Sequence, residues 1–387
     1  MASWAAVMTG KGTGALATVQ IYGDTAEACL RLIFTTAGNT APDFTVGKIL
    51  LGTIAQGETT IDQVTIGCEV DRCFAIHCHG NPLIVEQIMA LLQSQGVTLL
   101  DADQLLAWMW SQEQSMCTPA IEARLAIPRA KTLLGTRHLY RQITGGLTQA
   151  LIDWQAVESL AAIRQAAQEV WSTYAASRRI IFGCHLALIG PPNSGKSTLL
   201  NSLAGQQKAI VTDIRGTTRD WIEAPCHLGS LYVTLIDTAG LDPSLTDHRL
   251  DQQSQNRTVA VLPLADLVLL VLDVTLDASQ INQTMLTCIQ GKPVITVLNK
   301  NDREAVLAAN QLPSALGHTV SISAQQQIGI DPLIESIHTI LGVHDMEVGT
   351  PMCFTERQHQ LLGQLNTAPT MDAAQGRIKE LLWGQVD

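Results

Sequence analysis

Apolar and polar positions change rhythm three times along the chain. From residue 1 to about 82, short alternating or β-branched runs occupy 17–22, 48–54, 63–70 and 72–77, with Gly and Thr interrupting at 10–14 and 56–60. A period of two between turn residues predicts the hairpins of a small α+β domain, with one or two helices, one over 25–33. From 83 to 179 the apolar residues recur at helical spacing over 83–95, 102–114 and 120–134. A longer Ala- and Gln-rich segment follows over 147–179, and Pro128 and Gly145-Gly146 punctuate the run. From 180 onward, apolar runs at 180–189, 231–236, 267–274, 294–298 and 319–322 each lead into turn residues and then a helical stretch. Continuous apolar strands in that rhythm predict a parallel sheet covered on both faces, ending near Leu341. A last helical stretch, 355–383, has the texture of the middle region and is expected to pack back on it. The fold class predicted is multidomain: an N-terminal α+β domain (1–82), a helical domain (83–179 plus 350–387) and an inserted α/β domain (180–341).

Gly190-Pro191-Pro192-Asn193-Ser194-Gly195-Lys196-Ser197 fits the pattern GxxxxGK[ST] between an apolar strand and a helix-forming run that Thr198 opens. Glycines there let backbone N–H groups curl around phosphate oxygens at a helix N-terminus. Lys196 is then expected on the β- and γ-phosphates and the Ser197 hydroxyl on Mg²⁺. Asp237-Thr238-Ala239-Gly240 closes the next apolar strand, so the Asp237 carboxylate is expected to hold Mg²⁺ through water and the Gly240 N–H to meet the γ-phosphate. Asn299-Lys300-Asn301-Asp302 ends a further strand. Asp302 is suited to accept from guanine N1–H and its exocyclic amine, whereas adenine offers no amine there and leaves a carboxylate unpaired. Asn299 and Lys300 are expected to brace the loop and cover the base, and the backbone near Ser323 and Ala324 to meet guanine O6. Between the first two motifs, 211–220 contains Thr212, Thr217 and Thr218. A threonine in that segment is expected to cap Mg²⁺ when GTP is bound. Four pieces in order at strand ends predict that the inserted domain is an α/β P-loop GTPase domain of Ras-like type that binds GTP and GDP.

Composition changes the picture only at its edges. With 24 Lys+Arg against 35 Asp+Glu the net charge is −11, which argues against a broad electrostatic grip on nucleic acid. Only 15% of residues are charged and 46% hydrophobic, which excludes a wholly disordered chain. Nine scattered cysteines without a CxxC pair read as reduced thiols, and no apolar run is long enough to span a membrane, so a cytoplasmic protein is expected. His77, Cys78 and His79 alternate along one strand and so cannot all face one metal. The tryptophans lie mostly in helical segments and read as core.

At this point the chain resembles the MnmE (TrmE) family of tRNA-modification GTPases. The phosphate loop with Asn193, the run 212–220 with Gly-Thr-Thr-Arg-Asp, and Asp237 to Leu241 carry the likeness, as does the inserted GTPase domain. The Gly-rich start Thr9 to Leu16 and Ile76-His77-Cys78-His79-Gly80 are similar to the family's first domain. The resemblance implies K⁺ held by Asn193, Thr212, Ile214 and Thr217, and Mg²⁺ held by Ser197, Thr218 and Asp237. It further implies a homodimer of GTPase domains, a flavin-dependent partner, and modification of the wobble uridine of tRNA. The family's water-positioning Glu aligns with Asp251, one methylene shorter. Where the family has an Arg that contacts a folate one-carbon donor, this chain has Gln20, and its last residues carry no Cys-Ile-Gly-Lys. These departures weigh against a folate and against the cysteine-dependent step. They leave open a divergent regulatory or ribosome-assembly switch without tRNA-modifying chemistry, or a nucleotide-binding scaffold with negligible turnover.

Overall fold

Strands that alternate core-facing and outward residues build the first sheet. A computed structural model describes residues 2–10, 12–112, 116–206, 222–237, 262–308, 312–313, 316, 318–344 and 346–384. They fall into two compact units that divide between Met116 and Cys117. In the first unit the chain runs β1 (Ser3–Val7), β2 (Leu16–Gly23), α1 (Ala26–Ile33), β3 (Phe34–Thr36), β4 (Ile49–Gln56), β5 (Thr59–Val70) and β6 (Cys73–His79), then α2 (Pro82–Ser94), β7 (Thr98–Leu99) and α3 (Ala102–Ser111). The sheet order is β3-β4-β5-β6-β2-β1-β7, antiparallel except for the β1–β7 pair. Val19, Ile21, Phe74, Ile76 and Cys78 point into a core that Leu30, Ile33, Ile88 and Leu92 of the helices close. The boundary expected at residue 82 is therefore displaced. The segments 82–94 and 102–111, assigned by texture to a helical domain, lie in this unit: α2 buries Ile88, Leu91 and Leu92 in the sheet's core, and Trp108 of α3 packs its ring 4.1 Å from that of Trp4 in β1. Asn81 caps α2, with Pro82 at its first position, and an Asp101–Gln104 capping box starts α3.

The second unit opens with helices: α4 (Thr118–Ala126), α5 (Leu133–Thr144), α6 (Gly146–Trp154), α7 (Leu160–Ser172) and α8 (Tyr174–Phe182). The single long segment expected over 147–179 is thus broken, with Ser159 accepting from the Ala162 N–H to restart it as α7. The strand expected from 180 begins later. Ile180 to Phe182 finish α8, and Gly183, at φ 81°, turns the chain where a Cβ would lie 2.7 Å from the Tyr232 ring. Then come β8 (Cys184–Ile189), α9 (Lys196–Gln206), β9 (Ile222–Leu228), β10 (Leu231–Asp237), β11 (Leu267–Asp273), α10 (Gln283–Ile289), β12 (Val294–Asn299), β13 (Thr319–Ser321) and α11 (Ile330–Leu341). The order β13-β12-β11-β8-β10-β9 is parallel except for the β9–β10 hairpin. One face buries Leu186, Leu188, Leu199, Leu203, Leu333 and Ile337, the other Ala187, Ile189, Leu270 and Leu272, so both faces are covered. This explains why β11 is buried at every position.

The chain closes with α12 (Glu356–Asn366) and α13 (Met371–Trp383). Arg357 donates to buried Glu122 from Nε (2.9 Å) and Nη2 (3.2 Å), and Gln358 Nε2 adds a third bond (2.7 Å), tying α12 to α4. Arg179 of α8 donates to Asp266 (3.2 Å) and to the Leu341 carbonyl (2.9 Å), where the helical stretch enters and leaves the α/β portion. Among the described residues, no helix is long and apolar enough to cross a membrane, and no group of three or more His, Cys, Asp or Glu side chains could hold a metal ion.

Candidate nucleotide site

Parallel strands deliver their C-terminal ends to one edge, and the motif residues arrive there by different strands. Gly190, Asn193, Ser194 and Gly195 form the loop after β8. Lys196, Ser197 and Thr198 make the first turn of α9, whose first helical bond runs from the Leu199 N–H to the Gly195 carbonyl (2.9 Å). Asn193 takes a left-handed φ of 61° in an exposed stretch of the loop. Lys196 is buried, and its Nζ donates back to the Gly190 (3.0 Å) and Pro191 (2.8 Å) carbonyls. Burial pushes its pKa below the ordinary lysine value, with Asp237 pulling the other way. Ser194 Oγ is buried without a partner among the described residues.

Asp237 ends β10, and its Oδ2 accepts from Ser197 Oγ at 2.8 Å. A hydroxyl and a carboxylate meeting on a phosphate loop are the oxygen donors that a small hard cation takes, so these two residues fit Mg²⁺. Asn299, last in β12, is buried and works in two directions. Its Nδ2 donates to the Ser194 carbonyl (2.9 Å), and its Oδ1 accepts from the Ala324 N–H (3.0 Å). Gly195, at φ 96°, has no room for a Cβ, which would lie 2.2 Å from Asn299 Nδ2. The phosphate loop, the 299–302 turn and the 323–324 backbone are therefore held by one side chain. Asp302 is exposed, and a hydrogen bond from the Ser323 side chain holds its carboxyl below the usual carboxylate range.

Lys300, expected to brace the loop and cover the base, reaches Asp273 Oδ2 at 2.5 Å, with a backbone φ of 67°. Asp273 was not singled out by its sequence. The signal was available: it ends an apolar strand, as Asp237 and Asn299 end theirs. Gly240, Thr212, Ile214, Thr217, Thr218 and Asp251 lie outside the described residues.

In the first unit, Gln20 Nε2 donates to Glu69 Oε2 (2.8 Å) and to Cys73 Sγ (3.2 Å). Burial pushes the Cys73 thiol up to about 11, with the Gln20 bond opposing, so it stays neutral. A cavity of about 370 Å³ beside it is lined by Tyr22, Glu69, Cys73 and Trp110 among others, with a carboxylate and no cation among the described lining residues. None of these described lining residues offers a counter-charge to a folate's glutamyl carboxylates. His77 Nδ1 meets Thr18 Oγ1 (3.0 Å) and His79 Nδ1 meets Asp62 Oδ1 (2.7 Å), while Cys78 turns into the core.

The profile of a family described as "50S ribosome-binding GTPase" matches residues 185–300. The tRNA modification GTPase MnmE of Streptococcus pyogenes serotype M28 (strain MGAS6180) is 30% identical over 363 residues, covering 84% of this chain and 78% of that protein. The protein of the same name from Clostridioides difficile (strain 630) is 25% identical over 394 residues, covering 92% and 85%. That from Thermoanaerobacter sp. (strain X514) is 30% identical over 303 residues, covering 70% and 65%.

Proposed function

The chain belongs to the family of MnmE tRNA modification GTPases, and from that premise we propose a potassium-dependent conformational GTPase linked to modification of the wobble uridine of tRNA. It is a GTP phosphohydrolase. The observation that supports the nucleotide part of this reading is the convergence of Lys196, Ser197, Asp237, Asn299 and Asp302 on one edge of the parallel sheet, while the potassium and tRNA parts rest on the family.

In this reading Lys196 exchanges two loop carbonyls for phosphate oxygens, and the partnerless Ser194 hydroxyl gains an acceptor. Asp302 accepts from the guanine edge while Asn299 keeps the two loops in register. Mg²⁺ held by Ser197 and Asp237, with Thr218, supplies charge neutralisation at the phosphates. Asn193, with Thr212, Ile214 and Thr217, would hold K⁺, which would supply positive charge to offset the negative charge that develops on the phosphates. Asp251 supports the attacking water. The portion 180–341 acts as the GTPase module within helices 117–179 and 350–384, and pairs with the module of a second copy. A flavin-dependent enzyme and tRNA are the partners, and the cytoplasm is the place.

Phosphate release in potassium against sodium chloride tests this first. Turnover is expected to rise by about tenfold in potassium; equal rates in the two salts would overturn the potassium reading. A second reading, a regulatory or ribosome-assembly switch without tRNA-modifying chemistry, is favoured by Gln20, whose amide is committed to Glu69. Wobble-uridine profiling in a deletion strain separates the two: unmodified wobble uridine supports the first, an unaltered profile the second.

A further inference from the structure

The polar end of the central strand is the part of this edge that the motifs do not account for. In the parallel register Asp273, last in β11, lies opposite Asn299, last in β12. Lys300 is one residue further on, and its ammonium meets Asp273 Oδ2. The buried carboxylate has its other oxygen, Oδ1, occupied by the Thr275 N–H (3.0 Å) and hydroxyl (2.7 Å). Gln280 fixes the same strand end from its other side. Its Oε1 accepts from the Asp273 N–H (2.9 Å), and its Nε2 donates to the Asp273 (2.9 Å) and Asp277 (3.1 Å) carbonyls. Burial pushes the Asp273 carboxyl up, but the bonds from Lys300 and Thr275 outweigh it and leave the group below its ordinary value, charged at neutral pH. Lys300 meanwhile occupies left-handed backbone space that residues other than glycine seldom adopt, so the turn needs an external hold.

We infer that Asp273 is a positioning residue for the guanine site: its fixed carboxylate holds Lys300, and through it the 299–302 turn, in the arrangement that receives the base. The inference rests on the guanine-nucleotide reading above. Asp302 selects the base, whereas Asp273 determines how much of the turn is in place before the base arrives. Every guanine nucleotide presents the same base, so loss of the Asp273 charge weakens GDP and GTP alike and leaves the phosphate chemistry alone.

The test is a double-mutant cycle on the full chain, with GDP as the probe in titration calorimetry and phosphate release at saturating GTP as the second readout. Asp273→Asn is expected to raise the Kd for GDP and the KM for GTP about tenfold. Turnover at saturation is expected to change by less than about twofold. In a Lys300→Met background the same substitution is expected to shift Kd by less than about twofold, because the pair it breaks is already gone. A merely structural carboxylate would lower Tm with an unmoved Kd, or would cost the same in both backgrounds, and either result overturns the inference. Should Asp273→Asn not fold, Thr275→Val removes one hydroxyl from the carboxylate and is expected to raise Kd about threefold; an unchanged Kd there overturns it equally. A wild-type chain that binds ADP as tightly as GDP refutes the guanine reading itself, and this inference with it. A guanine-selective chain indifferent to Asp273→Asn refutes only the inference.

Discussion

The two sheets dispose of their polar side chains in opposite ways. In the second, strands run parallel apart from β9, so β8, β10, β12 and β13 lead into Lys196, Asp237, Asn299 and Ser323 at one edge. Some groups there pair, as Asp237 does with Ser197, but others lean on backbone carbonyls, as Lys196 does, or lack a partner among the described residues, as Ser194 Oγ does. In the first, neighbouring strands are mostly antiparallel, and polar side chains meet two by two across the sheet: Gln20 with Glu69, Thr18 with His77, Asp62 with His79. An ammonium resting on neutral carbonyls gains a charge-assisted bond when phosphate arrives. Chain direction alone, repeated strand after strand, turns scattered polar residues into a site; alternating direction turns them into pairs.

Breaking the convergent edge has the largest expected effect. Lys196→Ala leaves the phosphates without their cation, and phosphate release should fall by at least about a hundredfold. The same lysine predicts a pH dependence. Burial holds its free-state pKa below 10.5, and bound phosphates raise it, so above the free-state value binding must take up a proton. GDP affinity should therefore fall as pH rises through the alkaline range, beginning below the ordinary lysine value, and Lys196→Ala should abolish that slope. A flat calorimetric profile in the parent chain would remove the argument. Next in size, Asp302→Ala deletes the acceptor for the guanine amine, and the ratio of GDP to ADP affinity should drop by about a hundredfold.

The convergent edge was legible in the sequence because each of its parts is contiguous. Gly190 to Ser197 spans one turn between a strand and a helix, and Asn299 to Asp302 one strand end, so spacing alone placed them. The pairs of the first sheet were not legible. Gln20 and Glu69 lie 49 residues apart, and only the β2–β6 and β5–β6 registers bring them together. Asp273 was missed for an intermediate reason: its partner Lys300 stands in a motif, but the pairing depends on strand order β12-β11, which no local pattern encodes. The misplaced boundary at 82 has the same origin. Helical periodicity identifies α2 as a helix, but it does not say which sheet its apolar stripe will cover.

Breaking a pair in the first sheet should do far less. Glu69→Ala takes the acceptor from the buried Gln20 amide, costing about 1 kcal/mol. The loss should be read as faster amide exchange along β2 and β6, with GTP turnover unmoved. Adding Gln20→Leu should recover most of it, since no buried donor is then left unpaired. A fall in turnover with either variant would mean that the paired sheet takes part in the reaction after all.

The smallest effect separates two meanings of a partnerless group. His138 of α5 is fully buried with no partner for either ring nitrogen among the described residues, as Ser194 Oγ is at the nucleotide edge. Burial lowers its pKa from 6.5, so the folded chain keeps it neutral where the unfolded chain takes up a proton. Between the folded value and 6.5 the unfolded state binds more protons, so stability is complete above 6.5 and declines as pH falls toward the folded value. His138→Leu should flatten that acid slope and, by removing two buried unpaired atoms, add about 1 kcal/mol at neutral pH. Thermal unfolding from pH 5 to 8 reads both. If the variant gains stability and keeps its turnover, an orphan polar atom is only a cost unless chain direction also brings other groups to meet it. If turnover falls, partnerlessness marks function inside the helices as well, and the contrast between the two sheets loses its generality.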